Sequence, residues 1–408
     1  MTTRVRHTRT LIGVAVVALA ASLVGPSIGV GAATAAPPAA NATASHVHHV
    51  FQIVLENEEE GTSFPRKGTE LDQLADQGVF VPRYFATGHA SLDNYLAMVS
   101  GQAQYFSTSI DCPIYKNASG TINPRGYYAP VLPHDTGCVY PAGIKTLPDQ
   151  LTAAGRTWAG YMEDMGNTAA RETSRCGQPA VAGVAVDPAV GALDDTQGAT
   201  AADQYAARHN PFVYFHSLID VPASAASSPC TDHVVPMTQL ATDLATNNVA
   251  NWSFITPNLC DDGHDAPCKG PGAEGANPGA GGLTSANAFL AKIVPMIQAS
   301  QAYRHGGLIV ITFDEGTTTK SCCGEAFFST GGGQVGAVIL GPTIHPHVTS
   351  CAYNHFSLLR TWEDVFGLKA KRTSIPGSDG QGHLAHAGDP GLIPLTRELT
   401  ATSNPCAG

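Results

Sequence analysis

The chain has 408 residues, enough for roughly two to three average domains or for one large α/β domain. Hydrophobic residues make up 43%, charged residues only 13%, and the mean hydropathy is −0.02, which excludes both a disordered chain and a multi-span membrane protein. The formal net charge of −11 argues against a general nucleic-acid binder, because such a protein needs a basic surface.

The first 35 residues are typical of a secretory signal peptide. Three arginines precede an apolar stretch over 11–24, and a small-residue cleavage site follows at 33–35. An uncleaved membrane anchor is the alternative, but this stretch is shorter than the roughly 20 residues that span a bilayer. We therefore predict a secreted, extracellular protein without a stable membrane anchor, with a linker over 36–46.

Apolar segments of β type alternate along the chain with segments of helical periodicity. In chain order, the segments are β-like at 47–55, helical at 69–77, β-like at 79–85, helical at 92–100 and 147–154, β-like at 157–161, 212–216 and 252–256, helical at 285–301, β-like at 307–313 and 335–340, and helical at 355–366. Two stretches, 165–210 and 269–282, are rich in loop-forming residues. This alternation predicts an α/β fold with a largely parallel central sheet, helices on both faces and loop-rich insertions.

Ten cysteines follow the predicted cleavage site, an even number that suits disulfide pairing in an oxidising compartment. Cys260 and Cys268 are close enough in the chain to close a short loop. The adjacent Cys322 and Cys323 are each expected to pair with a cysteine elsewhere. A zinc site built from thiolates is disfavoured because the chain has no CxxC pair. The remaining disulfide pairings stay open.

Polar side chains follow several predicted strands, at the carboxyl edge where open parallel sheets place their chemistry. The first strand ends in Glu56 and Asn57. The strand that ends at Phe313 is fully apolar over 308–311 and leads into Asp314 and Glu315. Two acids behind such a strand are costly unless they are paired or bind a metal. These four residues could bind a hard divalent cation. The alternative is a pair of solvated loop acids.

Ser91 comes just before a helical segment. Its hydroxyl suits either a helix N-cap or a nucleophile, and the two roles are compatible because a helix N-terminus also attracts phosphate. A metal near the Ser91 hydroxyl would lower its pKa and align it. His89 is expected to cap or orient this turn.

A further polar cluster follows the strand that ends at Thr256. Asp262 and His264 would point to the same edge of the sheet; alternatively, the cluster is only a turn closed by a bridge between its cysteines. His355 precedes a helix and by itself is typical of a surface histidine. The run at 58–60, three glutamates, is typical of a solvated acidic surface.

These segments resemble motifs of the bacterial phosphoesterase family, which contains phospholipases C and secreted acid phosphatases and belongs to the alkaline-phosphatase-like superfamily. Each motif is weak alone, but five occur in the family's order across 47–368: Val54-Leu55-Glu56-Asn57, His89-Ala90-Ser91-Leu92-Asp93-Asn94-Tyr95, Pro257-Asn258 through Asp262-Gly263-His264-Asp265, Thr312-Phe313-Asp314-Glu315, and Asn354-His355-Phe356-Ser357. The resemblance implies an alkaline-phosphatase-like fold and one phosphoesterase domain over 47–408.

The resemblance also implies residue roles. A divalent cation, Mg²⁺, Ca²⁺, Mn²⁺ or Zn²⁺, would be bound by Glu56, Asn57, Asp314, Glu315 and the nucleophile Ser91. The catalytic residues besides Ser91 would be His264, Asp262 and His89. Of these, Asp262 and His264 would lie at the phosphate site, with His264 as the candidate proton donor. Possible second-metal or phosphate-binding residues are His355, Asn94 and Asp265. The chain departs from the family where Ala90 and Asp93 replace the prolines that flank the nucleophile, which could loosen that turn.

These features predict a secreted, metal-dependent hydrolase of phosphomonoesters, of the acid phosphatase type, acting on small phosphomonoesters or on phosphoinositide or phospholipid headgroups and not on nucleic acid. A phospholipase C is the nearest alternative, and its apolar entrance could come from 165–210. A non-catalytic secreted binding protein on the same fold is another alternative. A serine esterase is disfavoured because no GxSxG motif surrounds Ser91. The oligomeric state stays open.

Overall fold

The structure is a computed structural model that describes residues 46–64, 68–131, 137–323, 331–375 and 377–407. The predicted signal peptide and the linker, apart from His46, lie outside the described residues. The described residues belong to one compact unit over 40–408. Among the residues that the structure describes, no helix is both long enough and apolar enough to cross a bilayer.

The strands are short except for the two at the centre of the main sheet. They are β1 (His49–Leu55), β2 (Val79–Val81), β3 (Tyr84–Phe85), β4 (Ile114–Tyr115), β5 (Gly120–Ile122), β6 (Tyr128–Pro130), β7 (Trp158–Met162), β8 (Ala180–Val181), β9 (Val184–Ala185), β10 (Ala192–Leu193), β11 (Val234–Pro236), β12 (Trp252–Thr256), β13 (Gly307–Phe313), β14 (Ala337–Leu340), β15 (His347–Val348) and β16 (Tyr353–Asn354).

The helices range from single turns to one long helix that follows the loop at 269–282. They are α1 (Glu60–Ser63), α2 (Glu70–Gln77), α3 (Ser91–Ser100), α4 (Leu147–Ala153), α5 (His216–Ile219), α6 (Pro229–His233), α7 (Thr238–Thr246), α8 (Gly282–Gln298), α9 (Gln301–Arg304), α10 (His355–Val365) and α11 (Ala370–Thr373).

An eight-stranded sheet forms the centre of the fold, in the order β11-β7-β12-β1-β13-β14-β2-β15. The five strands from β11 to β13 run parallel to one another. Strand β14 runs antiparallel to both of its neighbours, and β2 pairs with β15 in parallel. The predicted α/β class with a largely parallel sheet is therefore confirmed, with β14 as the reversed strand.

Helices α3 and α10 pack together against β1. Gln52 in the middle of β1 donates from Nε2 to Met98 Sδ of α3, and its Oε1 accepts a hydrogen bond from Trp362 Nε1 of α10. All ten residues of α3 are buried. Because a buried amide is costly without partners, these two bonds fix how both helices sit on the central strand.

The segment at 212–216 is not a strand, contrary to the prediction. It forms a 3₁₀ helix over Pro211–Tyr214 that leads into α5. Proline suits the first position of a helix, and the Asn210 side chain accepts a hydrogen bond from the Phe212 amide at 3.3 Å. Phe212 is buried because its ring packs on Trp252 and Phe254, not because it pairs in the sheet.

All ten cysteines form disulfides: Cys112–Cys138, Cys176–Cys230, Cys260–Cys268, Cys322–Cys323 and Cys351–Cys406. The short Cys260–Cys268 loop is confirmed. The prediction that Cys322 and Cys323 each pair elsewhere is wrong, because the two bond to each other. The other eight cysteines pair among themselves, so no distant partner remains for this pair.

Candidate active site

The two central strands end level with each other, which brings two acids together. Leu55 of β1 pairs in register with Phe313 of β13. The next residues are Glu56 and Asp314, whose side chains are fully buried. The Asp314 amide donates to the Leu55 carbonyl oxygen at 2.9 Å, so the parallel pairing extends one residue into the acidic pair.

Ser91 is the first residue of α3, directly beside this acidic pair. Its Oγ donates a hydrogen bond to Glu56 Oε2 at 2.8 Å. Ala90 is the N-cap residue, so the Ser91 hydroxyl is not used for capping. The hydroxyl is buried, with Ser91 only 2% exposed. The structure therefore brings together Ser91 and the acids at the ends of β1 and β13.

The turn before Ser91 is braced by Asn94. Asn94 Oδ1 accepts hydrogen bonds from the amides of Thr87 and Gly88 at 2.9 and 3.0 Å. Its Nδ2 donates to the carbonyl oxygens of Gly88 and Ala90. These bonds compensate for the missing prolines around Ser91. Both ends of the Asn94 amide are thus engaged in holding the turn.

His209 is a site residue that the sequence analysis missed. Its ring lies between two acids: Nδ1 is 3.1 Å from Asp262 Oδ2, and Nε2 is 3.1 Å from Glu56 Oε1, misaligned for a hydrogen bond. The ring of Tyr95 stacks on it at 5.2 Å between centroids. Ligand atoms of Glu56, His209 and Asp262 all lie within 4.8 Å of one another, close enough for one metal ion.

His209 was missed because it lies in the loop-rich stretch at 165–210, in a 3₁₀ turn (Ala207–His209) that follows no predicted strand. The available signal was a charged pair, Arg208-His209, directly ahead of an apolar run. That pattern is common on protein surfaces, and only the fold places it beside β1.

His264 lies at the more exposed side of the cluster, between Asp265 and Arg208. Its Nδ1 is 2.8 Å from Asp265 Oδ1, and its Nε2 is 3.2 Å from Arg208 Nη2. A guanidinium can only donate, so Nε2 accepts this bond and Nδ1 carries the proton that is donated to Asp265. The His264 amide also donates to Asp262 Oδ1 at 2.8 Å.

Arg208 is a buried cation whose charge acts on the buried acids. Its Nη1 donates to the Gln197 carbonyl oxygen at 2.7 Å, and its Nε lies 3.9 Å from Asp111 Oδ2. Asp111 in turn accepts a hydrogen bond at Oδ1 from the Leu92 amide at 2.9 Å, so a carboxylate sits at the N-terminus of α3. This position attracts an anion because of the exposed amides and the helix dipole.

Glu315 and His89 form the exposed edge of the site. His89 Nδ1 lies 2.8 Å from Glu315 Oε2, and the His89 side chain is 40% exposed. His89 therefore contacts the second acid of the Asp314-Glu315 pair and does not cap α3.

His355 is buried and supports Asp314 from behind. Its Nε2 donates to the Asp314 carbonyl oxygen at 2.6 Å, and its Nδ1 accepts from the Tyr84 hydroxyl at 3.1 Å. Burial lowers the pKa of His355 to about 4, so the ring is neutral. Both ring nitrogens are engaged in these bonds. On the other side, the backbone N–H of Asn57 donates to Asp314 Oδ1 at 3.2 Å.

Glu59, predicted to be part of a solvated acidic surface, is instead a clamp on the turn after Glu315. Its Oε1 accepts hydrogen bonds from the amides of Thr317 and Thr318 at 3.1 and 2.9 Å and from Thr318 Oγ1 at 2.7 Å. Glu59 follows β1, and the turn follows β13. The clamp therefore ties together the two chain segments that carry the acids.

Comparison with known proteins identifies the family. A model of the Phosphoesterase family matches residues 62–369. The chain belongs to this family. The match runs from α1 to the end of α10 and includes Ser91, Asp262, Asp314 and His355. The family predicted from the five motifs is thus confirmed.

Two relatives of this phosphoesterase are phosphatases. A phosphatidylinositol-3-phosphatase of Mycobacterium tuberculosis is 25% identical over 370 residues, which cover 90% of each chain. A phosphate-repressible acid phosphatase of Penicillium chrysogenum is 24% identical over 340 residues, 82% of this chain and 63% of that protein. The phosphoesterase thus spans less than two thirds of the fungal relative. The family and these relatives support the predicted class, a phosphoric monoester hydrolase.

The chain is also similar to a solved structure of a protein in the alkaline phosphatase superfamily from Vibrio parahaemolyticus. It is 11% identical, with a TM-score of 0.43, over 84% of this chain and 70% of that chain.

The buried acids of the phosphoesterase shift one another's protonation. Burial, followed by the charges of Asp314 and Asp262, raises the pKa of Glu56 well above its usual value. Burial also raises the pKa of Asp262 well above its usual value and the pKa of Asp314 to about 6. The pKa of Glu315 is raised to about 10 by burial and, secondly, by the charge of Asp314. Arg208 opposes the rise at Glu56, Asp262 and Glu315. The positive charge of Arg208 is therefore too small to balance these four neighbouring carboxyl groups.

This donor set fits a divalent metal ion. Within the described residues, Glu56 Oε1 and Asp314 Oδ2 are buried and receive no hydrogen bond. Buried carboxylate oxygens without a donor are costly, and a cation would satisfy them. Oxygen ligands with one neutral imidazole suit Mg²⁺ or Mn²⁺ as well as Zn²⁺.

Proposed function

We propose that this phosphoesterase is a secreted, metal-dependent hydrolase of phosphomonoesters, of the acid phosphatase type, with Ser91 as its nucleophile. One observation carries the proposal: the Ser91 hydroxyl donates to the buried carboxylate of Glu56 at 2.8 Å, at the start of a helix and inside a cluster of acids. A serine in this position is oriented, deprived of water and next to groups that suit a cation.

The residues that would hold the cation are those at the ends of the two central strands, together with the nucleophile: Glu56, Asn57, Asp314, Glu315 and Ser91. His209 and Asp262 would add donors on the Glu56 side, because their ligand atoms are within 4.8 Å of a Glu56 oxygen. When bound, a divalent ion polarises a phosphoryl oxygen and favours the alkoxide form of serine.

Ser91 Oγ would attack phosphorus while the bond from phosphorus to the leaving oxygen breaks. Glu56 Oε2 is the nearest acceptor for the serine proton. The Arg208 guanidinium lies beside the cluster and can donate to a phosphoryl oxygen. Water would then cleave the phosphoseryl bond, releasing inorganic phosphate and restoring the serine hydroxyl.

His264 is the proposed proton donor to the leaving oxygen. In the described arrangement its Nε2 accepts from Arg208, so this nitrogen carries no proton. Donation from Nε2 therefore requires Arg208 to turn toward the phosphoryl group, which frees Nε2 to take up a proton. Asp265, bonded to Nδ1, would stabilise the resulting imidazolium.

The decisive experiment is the hydrolysis of p-nitrophenyl phosphate by Ser91→Ala, with divalent metal supplied. Loss of a nucleophile costs a thousandfold or more in kcat, roughly the scale seen for serine hydrolases. Ser227→Ala, which removes a surface hydroxyl bonded to Asp232, is the matched control. Wild-type turnover by folded Ser91→Ala would refute the nucleophile. Mass spectrometry of acid-quenched wild type is expected to find phosphate on the peptide that contains Ser91.

A phosphoinositide headgroup is the second candidate substrate, favoured by the name of the Mycobacterium tuberculosis relative. Comparing p-nitrophenyl phosphate, phosphatidylinositol 3-phosphate and phosphatidylcholine separates a phosphomonoesterase, a phosphoinositide phosphatase and a phospholipase C. Secretion is proposed from the signal-peptide pattern, and the five disulfides support an oxidising compartment.

A further inference from the structure

A cavity of about 780 Å³ lies beside the candidate active site. Two of its lining residues connect it to the reacting groups. His89 lines the cavity and contacts Glu315 through Nδ1 at 2.8 Å. Ser109 lines it as well, two residues before Asp111, whose Oδ1 accepts from the amide next to Ser91. A phosphate at Ser91 would therefore have its ester group close to this cavity.

The walls of the cavity are aromatic. They contain the rings of Tyr105, Phe106, Tyr127, Tyr128 and His386. The rings of Tyr105 and Tyr128 lie 5.3 Å apart, and those of Tyr127 and His386 lie 4.7 Å apart. Ring pairs at these separations form apolar surfaces that favour another ring.

One wall is held in place by an acid behind it. Asp389 Oδ1 accepts from the Tyr127 hydroxyl at 2.7 Å, and Asp389 Oδ2 lies 2.7 Å from His386 Nδ1. The wall is therefore formed before any ligand binds, which reduces the entropy lost on binding.

The described residues that line the cavity include no fixed cation. Among its lining residues that the structure describes, none is lysine or arginine, and the polar ones besides the histidines, Ser109 and the tyrosines are the amides Gln102, Gln104 and Asn123. Behind the wall, Asp389 contributes negative charge that His386 and Arg125 offset in part, since both lower its pKa. A second anionic group on the substrate would lose its water here without gaining a cation, which is unfavourable.

We propose that this cavity binds the leaving group of the substrate and selects monophosphate esters of uncharged, planar aromatic alcohols. It would disfavour substrates whose leaving group carries a further anionic group, such as phosphatidylinositol 3-phosphate. This inference rests on the proposed phosphomonoesterase function and adds the class of alcohol. Apolar cavities of roughly 300–1,000 Å³ with a few neutral polar groups are typical small-molecule sites.

The test compares phenyl phosphate with 2-naphthyl phosphate, whose leaving groups have similar acidity but differ by one ring. The expected kcat/KM of wild type is roughly 5- to 10-fold higher for the naphthyl ester, as one added aromatic contact provides. Wild type is also expected to hydrolyse soluble short-chain phosphatidylinositol 3-phosphate at least 10-fold less efficiently than 2-naphthyl phosphate.

The variants change side chains in the walls of the cavity and leave the proposed catalytic residues unchanged. Phe106→Ala removes a ring that is 38% exposed at the rim, and Tyr127→Ala removes a ring from the fixed wall. Both are expected to bring the naphthyl-to-phenyl ratio close to one. Tyr127→Phe keeps the ring and is expected to keep the ratio. Val190→Ala, at a side chain that is 78% exposed and not among the residues lining the cavity, is the surface control.

The two hypotheses fail in different ways. An equal kcat/KM for both aryl esters in wild type, or an unchanged ratio in Phe106→Ala and Tyr127→Ala, would overturn the aromatic selectivity alone. Preferred hydrolysis of phosphatidylinositol 3-phosphate would overturn the exclusion of charged leaving groups. Phenyl phosphatase activity that survives Ser91→Ala would instead overturn the proposed mechanism.

Discussion

Ser91 and Glu56 are joined by a hydrogen bond of 2.8 Å, although one begins helix α3 and the other follows strand β1. Both side chains are buried, and the turn before Ser91 is held by Asn94. The hydroxyl is therefore oriented before substrate arrives. Such preorganisation lowers the cost of reaching the transition state.

Metal removal is expected to abolish activity and lower the melting temperature. The acids of the cluster repel one another when ionised, and a divalent cation offsets that repulsion. The metal is removed with EDTA, and Mg²⁺, Ca²⁺, Mn²⁺ or Zn²⁺ is then added one at a time. Thermal unfolding and turnover, measured for each ion, identify the ion that the protein uses.

Glu56→Gln tests where the ion binds. This variant is expected to lose the metal-dependent rise in melting temperature. Asp261→Asn is the matched control, because Asp261 is a buried acid whose Oδ1 accepts from the Ala273 amide instead of facing the cluster. A full metal-induced stabilisation of Glu56→Gln would show that the ion binds elsewhere.

His209→Gln is expected to weaken metal binding by roughly 10- to 100-fold, the range for loss of a metal-site partner. Burial, with the charges of Arg208 and His264, lowers the pKa of His209 well below its usual value, so the ring is neutral and its lone pair is available. Isothermal titration of the metal-free protein measures the change.

The surface histidine His216 provides the comparison for His209. It contacts Asp220 and Asn117 away from the cluster, and His216→Gln is expected to bind metal as wild type does. Equal metal affinities of the two variants would remove His209 from the site.

Glu59→Ala is expected to reduce both stability and turnover, because three hydrogen bonds to the turn at 317–318 are lost. Because Glu59 is partly exposed, each bond is expected to contribute about 0.5–1.5 kcal/mol, so a loss of about 2–3 kcal/mol in the free energy of unfolding is expected for the three together. Glu59→Gln keeps an acceptor oxygen and should retain most of both properties. Denaturant unfolding and kcat are the readouts. If alanine and glutamine behave alike, the clamp does not position Asp314 and Glu315.

Stability is expected to fall as the pH rises from about 6.5 to 9 because of His383. Burial alone would lower its pKa, but hydrogen bonds to Asp364 and Asp379 and the charge of Glu363 raise the pKa to about 9. The folded state therefore holds a proton that the unfolded state releases near pH 6.5. This stabilisation is complete below pH 6.5 and is lost as the pH passes the folded pKa.

The measurement is the free energy of unfolding against pH for wild type and His383→Gln. The wild type is expected to lose up to about 3 kcal/mol more than the variant across this window. Parallel curves for the two proteins would contradict the assignment. Burial raises the pKa of Glu363 to about 8, which lowers stability over an overlapping range, and the charge of His383 opposes this rise. The difference between the curves therefore reports on His383 together with its interaction with Glu363.

Much of the α/β layout was predictable because burial leaves a local pattern. Strands β1 and β13 are almost wholly buried and mostly apolar, with Gln52 and Thr312 as buried polar exceptions, so the acids that follow them stand out in the chain. The segment at 212–216 is equally apolar, but its burial comes from packing on β12. Short apolar runs do not distinguish these two cases.

The sequence alone determined that Glu56, Ser91 and Asp314 follow or begin regular elements, since hydrophobic periodicity and strand ends are local properties. Tertiary structure decided that His209 meets them, that Glu59 clamps the turn beyond Glu315, and that aromatic rings form a cavity beside the site. Those contacts join segments far apart in the chain. These contacts depend on how the loops fold over the edge of the sheet. The path of a loop is set by packing and hydrogen bonding between distant residues, which leave no periodic pattern in the sequence.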